Sequence, residues 1–302
     1  MVMSESFLSL SGLSLERLRN FCLIADAGSL TKAARGDAGR MALFSRQIKE
    51  LETFFGVELR RRKGKGIVIT ENGRRLAALA REQFAGLEDF RRACRKIPVE
   101  VSIASGNSLL EWLLLPKSAE LRTALPGVRL RVLSQRTRDI VDGLTQQSLD
   151  FGLIRADALR PGLRSEKVRA EAYSLFVPRR LAPALATANL RRRIGELPIA
   201  TSLGGQFREQ LAADAEKAKW PLNIELSCSS FTQAARAVAS GGYAGVLPDV
   251  AAAQFDKTKI ARFELPFLKG YVRPLVLAWH PRTATVRDIL TPVRECLMKL
   301  LR

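Results

Sequence analysis

Three apolar periodicities separated by glycines constrain the first quarter of the chain more than any other feature. Leu15, Leu18, Phe21, Cys22 and Ala25 recur at helical steps until Gly28, the pattern of an amphipathic helix that stops at a glycine. Ser29 is placed to cap a short second helix, LTKAA, and Gly36, Asp37 and Gly39 supply turn chemistry before the pattern resumes at Arg40. A helix, a short helix, a glycine turn and a third helix make a helix-turn-helix. In the third helix Phe44, Ile48, Leu51 and Phe55 step by 4, 3 and 4, so they share one buried stripe. The opposite face carries Ala42, Arg46, Lys49 and Thr53, flanked by Ser45. Small residues beside a guanidinium and an ammonium suit a helix in a major groove, where bulk would clash and cations meet guanine or phosphate.

After Gly56 comes Arg60-Arg61-Arg62-Lys63-Gly64-Lys65, then the β-branched Ile67-Val68-Ile69 and Thr70, a cap for a further helix. Two brief extended segments around KGKG predict a hairpin wing that reaches the DNA backbone, giving a winged helix-turn-helix. The alternative for any charge run is a solvated loop without a partner. From Glu71 to Lys96 a long helix carries Leu76, Leu79, Ala80, Phe84, Leu87, Phe90 and Cys94, a stripe near the 3.5-residue period. The stripe is read as a dimer seam, the alternative being burial against the domain's own body. The 302 residues hold 49 Lys and Arg against 30 Asp and Glu, a net charge of +19, which favours polyanionic partners.

Three segments, LERLRNFCLIADAGSLTKAA, SRQIKELETFFGVEL and RRRKGKGIVITENG, together resemble the LysR-type transcriptional regulators over roughly residues 14 to 74. Where the family usually shows Ser-Gln-Pro-Ala, this chain has Arg40, Met41, Ala42 and Leu43, and Phe44 replaces a leucine. The resemblance implies DNA contacts from Ser29, Thr31, Ser45, Arg46 and Lys49. Arg40, Met41 and Ala42 stand at positions that face bases in the family, and Arg62, Lys63 and Lys65 of the wing lie on phosphates. It also implies a homodimer or homotetramer on an inverted-repeat operator in double-stranded DNA, with RNA polymerase as a further partner.

In the remainder, Val99 to Ser105, Arg129 to Ser134 and Leu149 to Arg155 are strand-like runs separated by helical stretches at Leu109 to Ala124 and Thr137 to Gln147. That alternation predicts a parallel, doubly wound sheet. A second series has strands at Ala172 to Val177, Pro198 to Ser202, Ile224 to Ser227 and Ala244 to Leu247; a last strand, Val272 to Trp279, and a last helix, Val286 to Leu301, return to the first sheet. The expected architecture is α/β. Residues 1–70 form the winged helix-turn-helix and 71–97 the linker helix. Residues 98–302 form a two-lobed domain, lobe I being about 98–160 with 270–302 and lobe II about 161–269. It resembles the periplasmic-binding-protein-like effector domain of the same family.

Ligands in such sheets collect at strand carboxyl ends and helix N-termini. Three loops have suitable hydroxyls and amides: Ser105, Asn107 and Ser108; Thr201 and Ser202; and Ser229, Ser230 and Phe231. Each could equally be a plain helix cap. Together they predict a site for a small, anionic effector.

Other classes find little support. The longest apolar stretch, Leu109 to Leu115, is interrupted by Glu111, too short for a membrane helix. The first residues lack a basic segment before an apolar block, so the expected location is the cytoplasm. Cys22, Cys94, Cys228 and Cys296 have no metal-cluster or redox-pair spacing, and His280 is the single histidine. No catalytic or metal-ligating set, and no cofactor, is expected. A ligand-responsive regulator is the reading; the alternatives are a constitutive DNA-binding protein whose second domain only oligomerises, and a solute-binding protein or enzyme with a basic appendage.

Overall fold

The computed structural model describes residues 12–63, 66–202 and 206–302. Helices α1 (Leu15–Ala27), α2 (Leu30–Ala34) and α3 (Ala38–Phe55) form the N-terminal bundle. Ser14 caps α1, and Gly28 ends it at φ 60°, a left-handed conformation that favours glycine. The Ser29 hydroxyl accepts the Lys32 N–H at 3.4 Å. The third helix begins two residues earlier than its apolar stripe suggests, because the Asp37 carboxylate caps it by accepting the Arg40 N–H at 2.7 Å. Gly39 therefore lies within its first turn. Phe44, Ile48 and Leu51 are buried with Phe21 and Ile24. Within this core Asn20 donates to the buried Gln47 at 2.9 Å, which satisfies two polar side chains that would otherwise be costly to bury.

Strands β1 (Arg60–Lys63) and β2 (Gly66–Ile69) pair antiparallel, Arg60 opposite Ile69 and Lys63 opposite Gly66. The hairpin strands are present as expected; Lys65 lies outside the described residues. Helix α4 (Glu71–Cys94) follows. The Thr70 hydroxyl accepts the Gly73 N–H at 3.0 Å and donates to the Glu58 carbonyl at 2.7 Å, locking helix to wing. A Cβ on Gly73 would stand 2.2 Å from the Leu59 carbonyl oxygen, so the close approach admits only glycine.

The rest is α/β. The first sheet combines β3 (Val99–Ser105), β4 (Val128–Ser134), β5 (Phe151–Arg155), β6 (Arg164–Glu171) and β12 (Arg273–Trp279) in the order β4-β3-β5-β12-β6. The second combines β7 (Tyr173–Pro178), β8 (Ile199–Ser202), β9 (Ile224–Cys228), β10 (Ala244–Pro248) and β11 (Ile260–Glu264) in the order β11-β7-β10-β8-β9. Around them lie α5 (Ser118–Ala124), α6 (Thr137–Thr145), α7 (Leu190–Arg193), α8 (Gln206–Lys217), α9 (Phe231–Ala239), α10 (Pro281–Val286) and α11 (Leu290–Leu301).

Several expectations change. Both sheets are mixed: β3, β4 and β5 are parallel, but β12 runs antiparallel to β5 and β6 antiparallel to β12. In the second sheet β7 is antiparallel to β10, and β11 antiparallel to β7. Residues 161 to 171, assigned to lobe II, belong instead to the first sheet through β6, and the chain crosses at Ala172. The stretch read as one helix from Leu109 begins at Asn107, relaxes into a π turn at Leu110–Leu114 and a 3-10 turn at Leu115–Lys117, and only then becomes α5. Pro116 explains the break, since it has no N–H to continue the ladder. The last helix, expected from Val286, starts at Leu290 as α11, and a separate short helix, α10, precedes it.

The lobes share a continuous apolar core, in which Val101, Ile103 and Leu110 join Ala234, Ala235, Val250 and Ala251.

Candidate nucleic-acid interface and interlobe cavity

Burying Phe44, Ile48 and Leu51 turns the other face of α3 outward. Ala42, Arg46, Lys49 and Thr53 are all exposed. The Arg46 side chain is 72% exposed, with its Nε 3.8 Å from Glu50, whose carboxylate is held closely by Arg17 at 2.6 Å. Arg46 thus stays available to a ligand. Thr31 and Arg40 are exposed, and Arg40 lies 5.6 Å over the Phe44 ring. Met41 packs against the bundle core. The Ser45 hydroxyl accepts from Arg60 Nη2 at 3.0 Å, a link from α3 to the wing. Arg62 is exposed on β1, and Lys63 sits at the β1 end of the hairpin. Ser29 is half-buried and serves as a cap. One outward face and one hairpin therefore carry the cations, the layout required to read a groove and neutralise the adjoining backbone.

Helix α4 presents three faces, because residues 3 or 4 apart align. Ala77 and Ala80 are buried in the helix-turn-helix core, with Leu76 and Phe84 packed against it. Glu82, Gly86 and Asp89 turn toward the first lobe: Arg282 Nε is 3.5 Å from Glu82, a Cβ on Gly86 would stand 2.9 Å from Val286, and Arg287 pairs with Asp89. Leu79, Leu87, Phe90 and Cys94 remain exposed, Phe90 at 70%. The single stripe read from sequence thus serves two surfaces. Arg81 sits between the first two faces and donates to Asp26 of α1 at 2.5 Å and to the Gln146 carbonyl beyond α6 at 2.9 Å. One side chain joins the DNA-binding bundle, the linker and the first lobe. Sequence reasoning could not find Arg81, Asp89 or Arg287, since their partners lie far along the chain.

Of the effector residues expected from sequence, the structure gathers several at the lobe junction and commits many of their polar atoms. The Ser105 hydroxyl donates to the Leu153 carbonyl at 2.7 Å. Asn107 Nδ2 donates to the Thr232 hydroxyl at 2.8 Å, bridging the lobes. Ser230 caps α9 by accepting the Gln233 N–H at 3.3 Å. The Ser229 N–H donates to Gln233 at 2.9 Å, on the exposed rim. Ser108 is half-buried and Ser202 buried; Thr201 is buried with an unpartnered hydroxyl. Phe231 belongs to an aromatic cluster with Tyr173, Phe207 and Tyr271, where Tyr173 and Phe207 stack at 4.0 Å. Burial pushes the Tyr173 hydroxyl up to about 12.

Beside this cluster a cavity of about 590 Å³ opens between the lobes. Arg155 and Asp157 contribute from the first lobe, Glu209 and Gln210 from α8, and Tyr271 and Arg273 from the returning crossover. Arg273 lies 4.7 Å over the Tyr271 ring, and burial draws its guanidinium below the ordinary range. These residues escape sequence reading because no motif marks them; the one available signal is a cation beside a tyrosine at the start of a strand.

The family model for the bacterial regulatory helix-turn-helix protein, lysR family, matches residues 15–74, and the LysR substrate binding domain matches residues 99–296. The chain is 30% identical over 210 residues to the glycine cleavage system transcriptional activator of Escherichia coli K12, a match covering 68% of this chain and 63% of that protein. It is 27% identical to an uncharacterized HTH-type transcriptional regulator of Mycobacterium bovis, over 90% of this chain and 94% of the relative. Among solved structures, full-length OxyR from Pseudomonas aeruginosa superposes with a TM-score of 0.64 at 18% identity, covering 96% of this chain and 97% of the other. Full-length CbnR in complex with its target DNA gives 0.56 at 20% identity, covering 95% and 99%.

Proposed function

Because the chain belongs to the LysR family of bacterial regulatory proteins, we propose that it is a sequence-specific regulator whose operator binding responds to a small effector carrying an anionic group. At the coarser level it is a DNA-binding transcriptional regulator with a substrate-binding domain, not an enzyme. The outward face of α3, with Arg46 and Lys49 exposed opposite a buried stripe, is the observation that supports sequence-specific DNA binding. In this reading α3 enters a major groove and Arg62, Lys63 and Lys65 lie on phosphates. The exposed Leu87 and Phe90 of α4 meet a second copy, so that two bundles address an inverted repeat. No described helix is long and apolar enough to cross a membrane, and the proposed site of action is the cytoplasm, on promoter DNA and beside RNA polymerase. The effector occupies the interlobe cavity, and its binding biases the lobes and, through α4, the bundles.

The test is a footprint on the DNA upstream of the chain's own coding region, with wild type and the Arg46→Ala, Lys49→Ala double variant. Protection that the double variant loses is the expected result. Protection by both, or by neither, overturns the assignment of α3.

A further inference from the structure

The interlobe cavity holds two opposite charges that the chain leaves without close ion-pair partners. Among the described residues no carboxylate forms a close ion pair with Arg273, which has a hydrogen bond with the Tyr173 hydroxyl and a longer-range attraction to Asp157, and Glu209 has no close cation, whereas Arg155 and Asp157 of the same lining pair with each other at 3.4 Å. Arg273 instead touches aromatic rings, Tyr271 at 4.7 Å and Tyr173 and Phe207 at 6.0 Å. A partly desolvated cation whose nearest carboxylate, Asp157, is already paired with Arg155 keeps a desolvation cost that a ligand's carboxylate would relieve. Next to it the Tyr271 hydroxyl is buried without a hydrogen-bond partner, a donor that suits the same carboxylate. Glu209 disfavours a second negative group and favours an ammonium.

We propose that this cavity takes a zwitterion of the amino-acid class, its carboxylate on Arg273 and the Tyr271 hydroxyl and its ammonium on Glu209. The proposal rests on the effector reading above and adds the ligand's chemistry. Neither Arg273 nor Glu209 is required for the helix-turn-helix, so DNA binding and ligand binding can fail separately.

The experiment measures thermal shifts of the full chain with glycine, L-alanine and L-phenylalanine, each paired with its analogue lacking the amino group: acetate, propionate and 3-phenylpropionate. At least one amino acid is expected to raise Tm by mass action and to outdo its analogue. Arg273→Met should weaken that binding at least about tenfold, and Glu209→Gln should remove the preference over the analogue. The ligand-free Arg273→Met protein should keep a cooperative melt, because methionine retains packing against the Tyr271 ring while the partly desolvated charge is lost. Glu209 is exposed, so Glu209→Gln keeps the test open should Arg273→Met fail to fold. Equal shifts in wild type and both variants, a preference for the analogues, or no shift with any of the three amino acids at about 10 mM overturns the proposal. If the footprint is present while no amino acid binds, this site alone falls; if amino acids bind and the footprint is absent, the regulator reading falls.

Discussion

Arg287 holds Asp89 in a two-point contact, Nε to Oδ2 at 2.6 Å and Nη2 to Oδ1 at 3.0 Å, across 198 positions of chain. The same guanidinium pairs with Asp150 through Nη1 and donates to the Glu100 carbonyl at 2.7 Å. Asp150 in turn accepts the Ser102 N–H at 2.7 Å and its hydroxyl at 2.8 Å. A linker-helix carboxylate is thereby fixed to β3 of the first sheet by a side chain only 6% exposed. Arg287→Ala leaves two poorly solvated carboxylates unpaired, and breaking a buried pair from one side costs about 3–5 kcal/mol. Chemical denaturation followed by the fluorescence of Trp112 and Trp279 should show that loss; a change below about 1 kcal/mol would assign the network no structural weight.

Arg81 should behave differently. Its partner Asp26 is half exposed, and exposed pairs contribute about 1 kcal/mol or less. Arg81→Gln is expected to leave Tm nearly unchanged while hydrogen exchange quickens around residues 146–149 and at the end of α1. Unaltered exchange at both places would refute the bridging role.

The Asn107–Thr232 contact adds a side-chain hydrogen bond between the lobes to their shared apolar core. Asn107→Ala is expected to cost about 1 kcal/mol and to speed exchange at the first turn of α9. If α9 stays as protected as in wild type, this hydrogen bond does not help to hold the lobes together.

DNA affinity should depend steeply on salt. Neutralising about 6 to 10 phosphates predicts a loss of about 10³ to 10⁵ between about 50 and 200 mM salt. Lys65→Ala should weaken all sequences alike, whereas Arg46→Ala, if it reads a base, costs about 1–3 kcal/mol and relaxes preference at that base. A flat salt titration of the gel-shift affinity would contradict the wing's role.

Glu171 gives a prediction in pH. It closes β6 at the lobe crossover, buried, with Oε1 accepting the Val250 N–H at 2.9 Å and Oε2 without a hydrogen bond. Burial raises its carboxyl above the ordinary range, opposed by the Val250 N–H and by Arg169 at 3.8 Å, and assisted by nearby Asp249. A carboxyl raised on folding favours the folded state while protonated, and that stabilisation is lost as pH rises through the folded value. Glu171→Gln should therefore raise Tm near pH 7, with the gain shrinking as acid protonates the wild type. A gain that grows toward acid pH would reverse the sign.

The parts of this molecule legible in sequence are those set by local periodicity. The buried stripe of α3, the Ser29 and Thr70 caps and the hairpin all follow from residues within a few positions of one another. Strand β6, RSEKVRAE, was not legible: only Val168 and Glu171 of it are buried, so an edge strand reads as a charged loop. The cavity residues escaped for a related reason. Arg155, Glu209 and Arg273 come from separate elements of two lobes, and only the crossover brings them together.

The three faces of α4 also determine which length changes the protein tolerates. One residue inserted near Glu82 turns everything beyond it by about 100°, moving Asp89 away from Arg287 and swinging Leu87 and Phe90 off the open side in a single step. An insertion of seven residues restores the phase to within about 20° but shifts the two halves apart by about 10 Å, out of reach of contacts such as Arg81 to Gln146. Evolution can alter the side chains on any one face independently, yet the length of this helix is common property of all three, and homologues that keep these contacts should differ in length elsewhere.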